Sequence, residues 1–264
     1  MTATSTSSEV EDVVKALGLR SRPVILSSSP ILPHIKFSMI KRPSNNFGLD
    51  GYISGRDGKK KHGLMDLLNI VYLNRFREDL KEGRSPKKCI IFCRGNSVLA
   101  EIYSRIMELT EYRYKDCRDA PFVMNHSSLL APTEKVLADR ANDIYLYLSS
   151  NKMLLGLDLP DIDIVIFLRP YNQPAALVQG GGRGGRRLKN GKRRKVQVYQ
   201  FFNSQDFTSQ NKLMSPDMKF ICQSNECTRK LLQRYFVGDS ESTDEVQELP
   251  PINVSHCCHN CDKL

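Results

Sequence analysis

No stretch of this chain approaches the roughly 20 consecutive apolar residues that a membrane-spanning helix requires, so no such helix and no membrane partner are expected. The opening segment, MTATSTSSEVEDVV, lacks the basic region and apolar core of a secretory signal. No repeat of solenoid period recurs. A phosphate-gripping loop of the form G-x-x-x-x-G-K-[ST] is missing too. Gly191-Lys192-Arg193 and Gly58-Lys59-Lys60 come nearest, and neither has the earlier glycine or the Ser/Thr that binds Mg²⁺. Acidic residues are in short supply, 29 against 39 lysines and arginines, for a net charge of +10. That surplus favours a polyanionic partner, nucleic acid first and an acidic membrane surface second.

What is present suffices for a folded body. With 264 residues, 40% of them hydrophobic, the chain can bury one substantial core and a small satellite. The eight cysteines, in a chain read as intracellular, are not expected to form a disulfide framework. Cys89, Cys93 and Cys117 lie apart, whereas Cys222, Cys227, Cys257, Cys258 and Cys261 crowd the C-terminal end, a skew that suggests a metal site there.

Periodicity orders the body. A capping box at Ser8 and Glu11 predicts a helix over 8–18, and the prolines at 23, 30 and 33 suit a linker over 19–34. Strands are predicted at 35–41, 89–93, 122–125, 144–148, 164–168 and 196–202. Helices are predicted at 64–80, 97–109, 133–141, from 173, and at 227–236. Strands that are apolar on both faces and separated by helices indicate an α/β fold, a parallel sheet covered on two sides, from about 35 to 205. From about 206 the pattern turns to helices, followed by an acidic stretch over 238–248.

The most informative run is QGGGRGGRR, Gln179–Arg187. One reading is an arginine-glycine box, although such boxes repeat within low-complexity surroundings and this one occurs once, inside an α/β pattern. The other is chemical. Arg183 and Arg186 have the spacing of one helical face, Gln179 precedes Arg183 by four, and guanidinium forks suit the charge that develops on a transferring phosphoryl group.

The spacing Q-x-x-G-R-x-G-R resembles motif VI of the superfamily 2 helicases, and the rest of the chain follows the RecQ type in order. Thr2-Ala3-Thr4 resembles motif III, which couples nucleotide to nucleic acid through Thr2 and Thr4. The segment 30–41 (PILPHIKFSMIK) resembles the entry to the second motor domain. IIFCRGN at 90–96 resembles motif IV, and His126 takes the place of the histidine in Y-H-x-G. SNKMLLGLDLPD at 150–161 resembles motif V, with Leu154 and Met153 departing from its first glycine and phenylalanine. The resemblance implies a RecA-like parallel sheet with helices on both faces. It assigns catalytic roles to Arg183, Arg186 and Gln179, ATP contacts to Gly156 and Asp158, and nucleic-acid contacts to Arg94, Asn96, His126 and Ser150.

The C-terminal cysteines extend the likeness. CTRKLLQRYF at 227–236, followed by Cys258-x-x-Cys261, resembles the family's helical zinc-binding subdomain. Thiolates two residues apart chelate one tetrahedral Zn²⁺, and Cys227 supplies a remote third ligand. The fourth falls to Cys257 or His256, and Cys222 reads as a small apolar residue. The basic run 183–195 fits either a solvated hairpin or a nucleic-acid backbone contact.

The expected organisation is a motif III remnant plus linker over 1–34, a second RecA-like domain over 35–205, and a zinc-binding subdomain over 206–264. With neither a phosphate loop nor a D-E-x-H box, the chain resembles the C-terminal half of an ATP-dependent 3′–5′ DNA helicase. On that reading it shares ATP and Mg²⁺ with a first RecA-like motor domain in cis or trans, and holds single-stranded DNA and the duplex junction. Nuclear location, DNA repair and recombination are implied by the same likeness. The alternatives are a non-catalytic DNA-binding or helicase-docking module and, more remotely, an RNA-directed helicase.

Overall fold

The computed structural model describes residues 6–18, 31–42, 63–110, 120–125, 139–140, 142–150, 159, 161–185, 188–189, 192–208, 213–237 and 257–263. Six strands form one fully parallel sheet: β1 (Ile35–Lys41), β2 (Lys88–Phe92), β3 (Phe122–Asn125), β4 (Leu146–Ser149), β5 (Ile162–Phe167) and β8 (Val196–Phe202), in the spatial order β1-β8-β5-β2-β4-β3. The short strands β6 (Leu188–Lys189) and β7 (Lys192–Arg193) form a separate antiparallel hairpin within the basic run.

The central strands are apolar over Cys89–Phe92 and Ile164–Phe167, where both faces are buried. On β2, Ile90 and Phe92 enter one hydrophobic cluster with Val165 and Phe167 of β5, while Cys89 and Ile91 enter the opposite one with Ile164 and Ile166. Period-two alternation assigns each set to its face. The second face is covered by a long helical stretch: α2 (Leu64–Leu68), a π-helical turn (Asn69–Leu73) and α3 (Asn74–Lys81). Helix α4 (Asn96–Leu109) joins it there through Leu99, Ile102 and Ile106. The π turn shows as the Asn74 N–H reaching the carbonyl of Asn69, and it turns Tyr72 and Leu73 inward. The first face receives α5 (Pro174–Gly181), α6 (Pro216–Gln223) and α7 (Thr228–Val237), through Leu177, Val178, Met218, Ile221, Leu231 and Leu232.

The α/β expectation therefore holds: the sheet is RecA-like and lies between helical layers. Two local corrections apply. Helix α1 (Ser7–Ala16) is capped by Thr6 and Glu9, not by Ser8 and Glu11, because the Thr6 side chain accepts from the Glu9 N–H and the Glu9 carboxylate accepts from the Thr6 N–H. Ile31 is buried in the first cluster, so the approach to β1 is already part of the core. The expected helix over 133–141 lies almost wholly outside the described residues.

Two buried carboxylates, Asp206 and Asp79, tie neighbouring segments to this frame. Arg42, just past β1, is buried against Asp206, with Nη2 2.8 and 3.0 Å from the two carboxylate oxygens. Asp79 accepts from Arg84 Nε at 2.8 Å and from Arg75 Nε at 3.3 Å, and the Arg84 hydrogen bond holds its carboxyl below the usual range. A depressed carboxylate stabilises the fold above its unfolded pKa, and that contribution is lost as pH falls through the folded value. Asp79→Asn is therefore expected to flatten the loss of stability below about pH 4, read by urea melts from neutral to acid pH.

Candidate nucleic-acid and nucleotide face with a cysteine cluster

In a parallel sheet the loops after the strands gather at the carboxyl edge, where open α/β folds bind their ligands. Arg94 follows β2 there. Its guanidinium lies 5.2 Å from the centroid of the Tyr171 ring, and Nη2 donates to Asn172 Oδ1 at 3.0 Å. Burial lowers the pKa of this arginine from its ordinary value. Asn96 opens α4, whose N-cap is Gly95; no side chain caps the helix, and no acidic residue sits in its first turn. That helix end therefore offers amide donors to an anion. Ser150 follows β4, its N–H bonded to the carbonyl of Asn125 at 3.1 Å and its hydroxyl buried without a partner.

Gln179 lies half-buried on α5 and Arg183 half-buried just beyond it. The helix gives way to tight turns: the Arg183 N–H bonds to the Gly180 carbonyl at 3.1 Å, the Gly184 N–H to the Gly181 carbonyl at 3.1 Å, and the Gly185 N–H to the Ile162 carbonyl at 3.1 Å. The glycines are required by packing. A Cβ on Gly184 would stand 2.4 Å from Val196 Cγ1, and Gly185 has φ +61° with His34 Nε2 2.8 Å from its would-be Cβ. A disordered arginine-glycine box needs no such fit. Gly184→Ala is expected to cost about 1–3 kcal/mol, visible as a lower denaturation midpoint with an unchanged slope.

Thr2, Thr4, His126, Gly156, Asp158 and Arg186 lie outside the described residues. Sequence reasoning missed Tyr171 and Asn172, the residues that hold Arg94; their only signal was their place after the apolar run of β5.

At the other end of the sheet order, four thiols converge. Cys227 precedes α7, and Cys257, Cys258 and Cys261 occupy a C-terminal loop; all four sulfurs lie within 4.8 Å of one another. Cys227 is 3.5 Å from Cys257 and 3.8 Å from Cys258, and Cys258 is 3.5 Å from Cys261. A tetrahedral Zn²⁺ with Zn–S bonds of about 2.3 Å places its thiolates roughly 3.8 Å apart, so the cluster has the dimensions of such a site. Burial and the Cys227 thiol push Cys257 up to about 11. Four thiols this close resist joint ionisation unless a cation lies among them. Cys257 thus takes the fourth place, and His256 is outside the described residues. Cys222 is buried in the apolar cluster, as expected.

The loop is locked to the sheet. Cys258 bridges to Phe37 of β1, the His259 N–H donates to the Phe37 carbonyl at 2.9 Å, and Lys36 pairs with Asp262 at 2.6 Å. Arg229 of α7, fully buried, donates to the carbonyls of Leu32, at 3.1 Å, and Ile35.

The profile of the helicase conserved C-terminal domain matches residues 66–187, just under half of the chain. Over those residues the chain is similar to a helicase C-terminal domain. Among solved structures, the DUF1998 helicase MrfA bound to DNA is similar with a TM-score of 0.50 at 13% identity, over 77% of this chain and 22% of that one. Dbp5 of S. cerevisiae bound to RNA and ADP BeF3 is similar with a TM-score of 0.50 at 14% identity, over 89% of this chain and 48% of that one. At these identities the likeness is one of fold, and the chain spans less than half the length of either protein. None of the curated proteins matches it.

Proposed function

We propose that this chain is the C-terminal half of a RecQ-type, ATP-dependent 3′–5′ DNA helicase. The observation that carries the type is the four-cysteine cluster beside a helicase C-terminal domain, with Cys227 at the start of a helix and Cys257, Cys258 and Cys261 on a loop. These cysteines hold Zn²⁺, which acts as a structural clamp. The helicase domain runs over 35–205 and the zinc-binding subdomain over 206–264, with 1–34 entering from the first motor domain.

Single-stranded DNA and the duplex junction lie across the carboxyl edge, where Arg94, Asn96, His126 and Ser150 meet the backbone. Gln179, Arg183 and Arg186, with Gly156 and Asp158, face ATP and Mg²⁺ held by the first motor domain, and Thr2 and Thr4 couple the two. ATP supplies the driving free energy. Arg183 and Arg186 present positive charge to its phosphates, and Gln179 orients polar groups. The cellular setting on this reading is the nucleus.

Fluorescence anisotropy of the purified chain tests the proposal. It is expected to bind a 3′-tailed DNA more tightly than an RNA of the same sequence. Arg94→Ala is expected to weaken DNA binding and reduce the salt slope by about 1. The chain alone is expected to release no phosphate from ATP. Equal affinity for RNA would shift the reading to an RNA-directed helicase, and DNA-stimulated hydrolysis by these 264 residues would overturn the half-motor.

A further inference from the structure

We propose that Asn172 is a positioning residue that sets the nucleic-acid grip of Arg94 and fastens it to the start of α5 and to the C-terminal helices; the role rests on the reading of Arg94 as a backbone contact. Three consecutive residues between β5 and α5 carry the argument. Tyr171 is buried, its ring edge-on to Phe167 at 5.4 Å between centroids, and it offers a face to the Arg94 guanidinium. Asn172 binds in two directions. Its side chain accepts from Arg94, and its backbone carbonyl accepts the Ser215 N–H at 2.9 Å. Ser215 in turn caps α6, its hydroxyl accepting from the Met218 N–H at 3.1 Å. Gln173 is the N-cap of α5, and its side chain accepts from the Tyr235 hydroxyl of α7 at 3.5 Å.

The exposed arginine is therefore held on one face by an aromatic ring and on one edge by an amide. An arginine so held has already given up much of the rotamer freedom that contact with a phosphate would cost. The holding group is neutral, so it orients the guanidinium without cancelling its charge. A carboxylate at the same place would cancel it. Two full charges act on Arg94 from nearby: the Asp206 carboxylate favours its charged form and, more weakly, Arg169 opposes it. The same three residues lead directly into the helix that carries Gln179 and is followed by Arg183. The nucleic-acid-facing arginine and the nucleotide-facing helix thus share one anchor.

The test uses the full chain and a fluorescein-labelled oligo-dT. Asn172→Ala leaves the carbonyl bond to Ser215 in place, so the fold is retained. It is expected to weaken binding about three- to tenfold with an unchanged salt slope, because the charge remains. Asn172→Asp is expected to lower the slope by about 1, as Arg94→Ala does. In an Arg94→Ala background, Asn172→Ala is expected to have no further effect, because it acts through that arginine. Equal losses in both backgrounds would mean a purely structural role and would overturn the proposal.

A second readout needs no nucleic acid. The Arg94 Nε–H resonance, identified by its loss in Arg94→Ala, is expected to be shifted upfield by the Tyr171 ring and to move toward the free-arginine position in Asn172→Ala. An unmoved resonance would overturn the bracket. A resonance that moves in a protein that does not bind oligo-dT would leave the bracket standing and overturn the nucleic-acid reading alone.

Discussion

Replacing Cys258 with serine is expected to release zinc and to lower the melting temperature by on the order of 10 °C. Cys258 is the fully buried member of the cluster, 3.8 Å from Cys227 and 3.5 Å from Cys261, and it is also the residue that bridges to Phe37. Structural zinc contributes roughly 10–16 kcal/mol in peptides that have no other core. Here two hydrophobic clusters already hold the sheet, so the loss is confined to the loop, the start of α7 and the cover over β1. A few kcal/mol is the expected scale, and each corresponds to roughly 2–4 °C in a chain of this size. Metal analysis and calorimetry with and without a chelator check this. Wild type is expected to carry one equivalent of zinc and Cys258→Ser none. Cys222→Ser should retain the metal, because that sulfur packs in the apolar cluster. A metal-free wild type whose melting is indifferent to chelator would refute the site.

Arg183→Ala, in a protein that also contains the first motor domain, is expected to reduce ATP hydrolysis about a thousandfold or more while changing DNA affinity less than about threefold. The asymmetry follows from placement. Arg183 sits on the turn at the end of α5, whereas Arg94 and the open end of α4 lie after β2 at the carboxyl edge. A guanidinium that opposes charge developing on a transferring phosphoryl group acts in the transition state, so its removal lowers turnover. Lysine is not expected to restore activity, since an ammonium cannot reproduce the planar fork. Phosphate release and anisotropy on one preparation separate the two effects. Full turnover in Arg183→Ala would remove this arginine from the nucleotide face.

The sheet was legible because its signals are local and strong. The runs CIIF and IVIF, Cys89–Phe92 and Ile164–Phe167, are apolar at every position, which only a strand buried on both faces tolerates, and both belong to central strands. The cysteine cluster was legible from spacing together with the family likeness, which left its fourth member between Cys257 and His256; the fold brings Cys257 to the other three. What escaped depends on distant partners. The π-helical turn at Asn69–Leu73 interrupts a pattern that reads as one helix, because burying Tyr72 and Leu73 outweighs regular hydrogen bonding there. The cap of α1 moved because Thr6 and Ser8 both precede an acidic residue by three, and sequence spacing does not choose between them. The bracket around Arg94 was invisible because Asn172 meets it only when β2 and β5 lie side by side.

The docking of the cysteine loop on β1 also bears on the order in which the molecule is made. Strand β1 is made before its neighbour in the sheet, β8, with Ile35 opposite Val196 and Lys41 opposite Phe202. Its remaining backbone meets Arg229 and then Cys258 and His259, which follow β8 in the chain. Strand β1 is thus made well before the residues that complete it. Until the final cysteine arrives it presents an open, apolar edge, the kind of surface that pairs with the wrong chain. Nascent chains halted before residue 257 would expose that edge and call on chaperones, whereas chains carried through 261 would hide it.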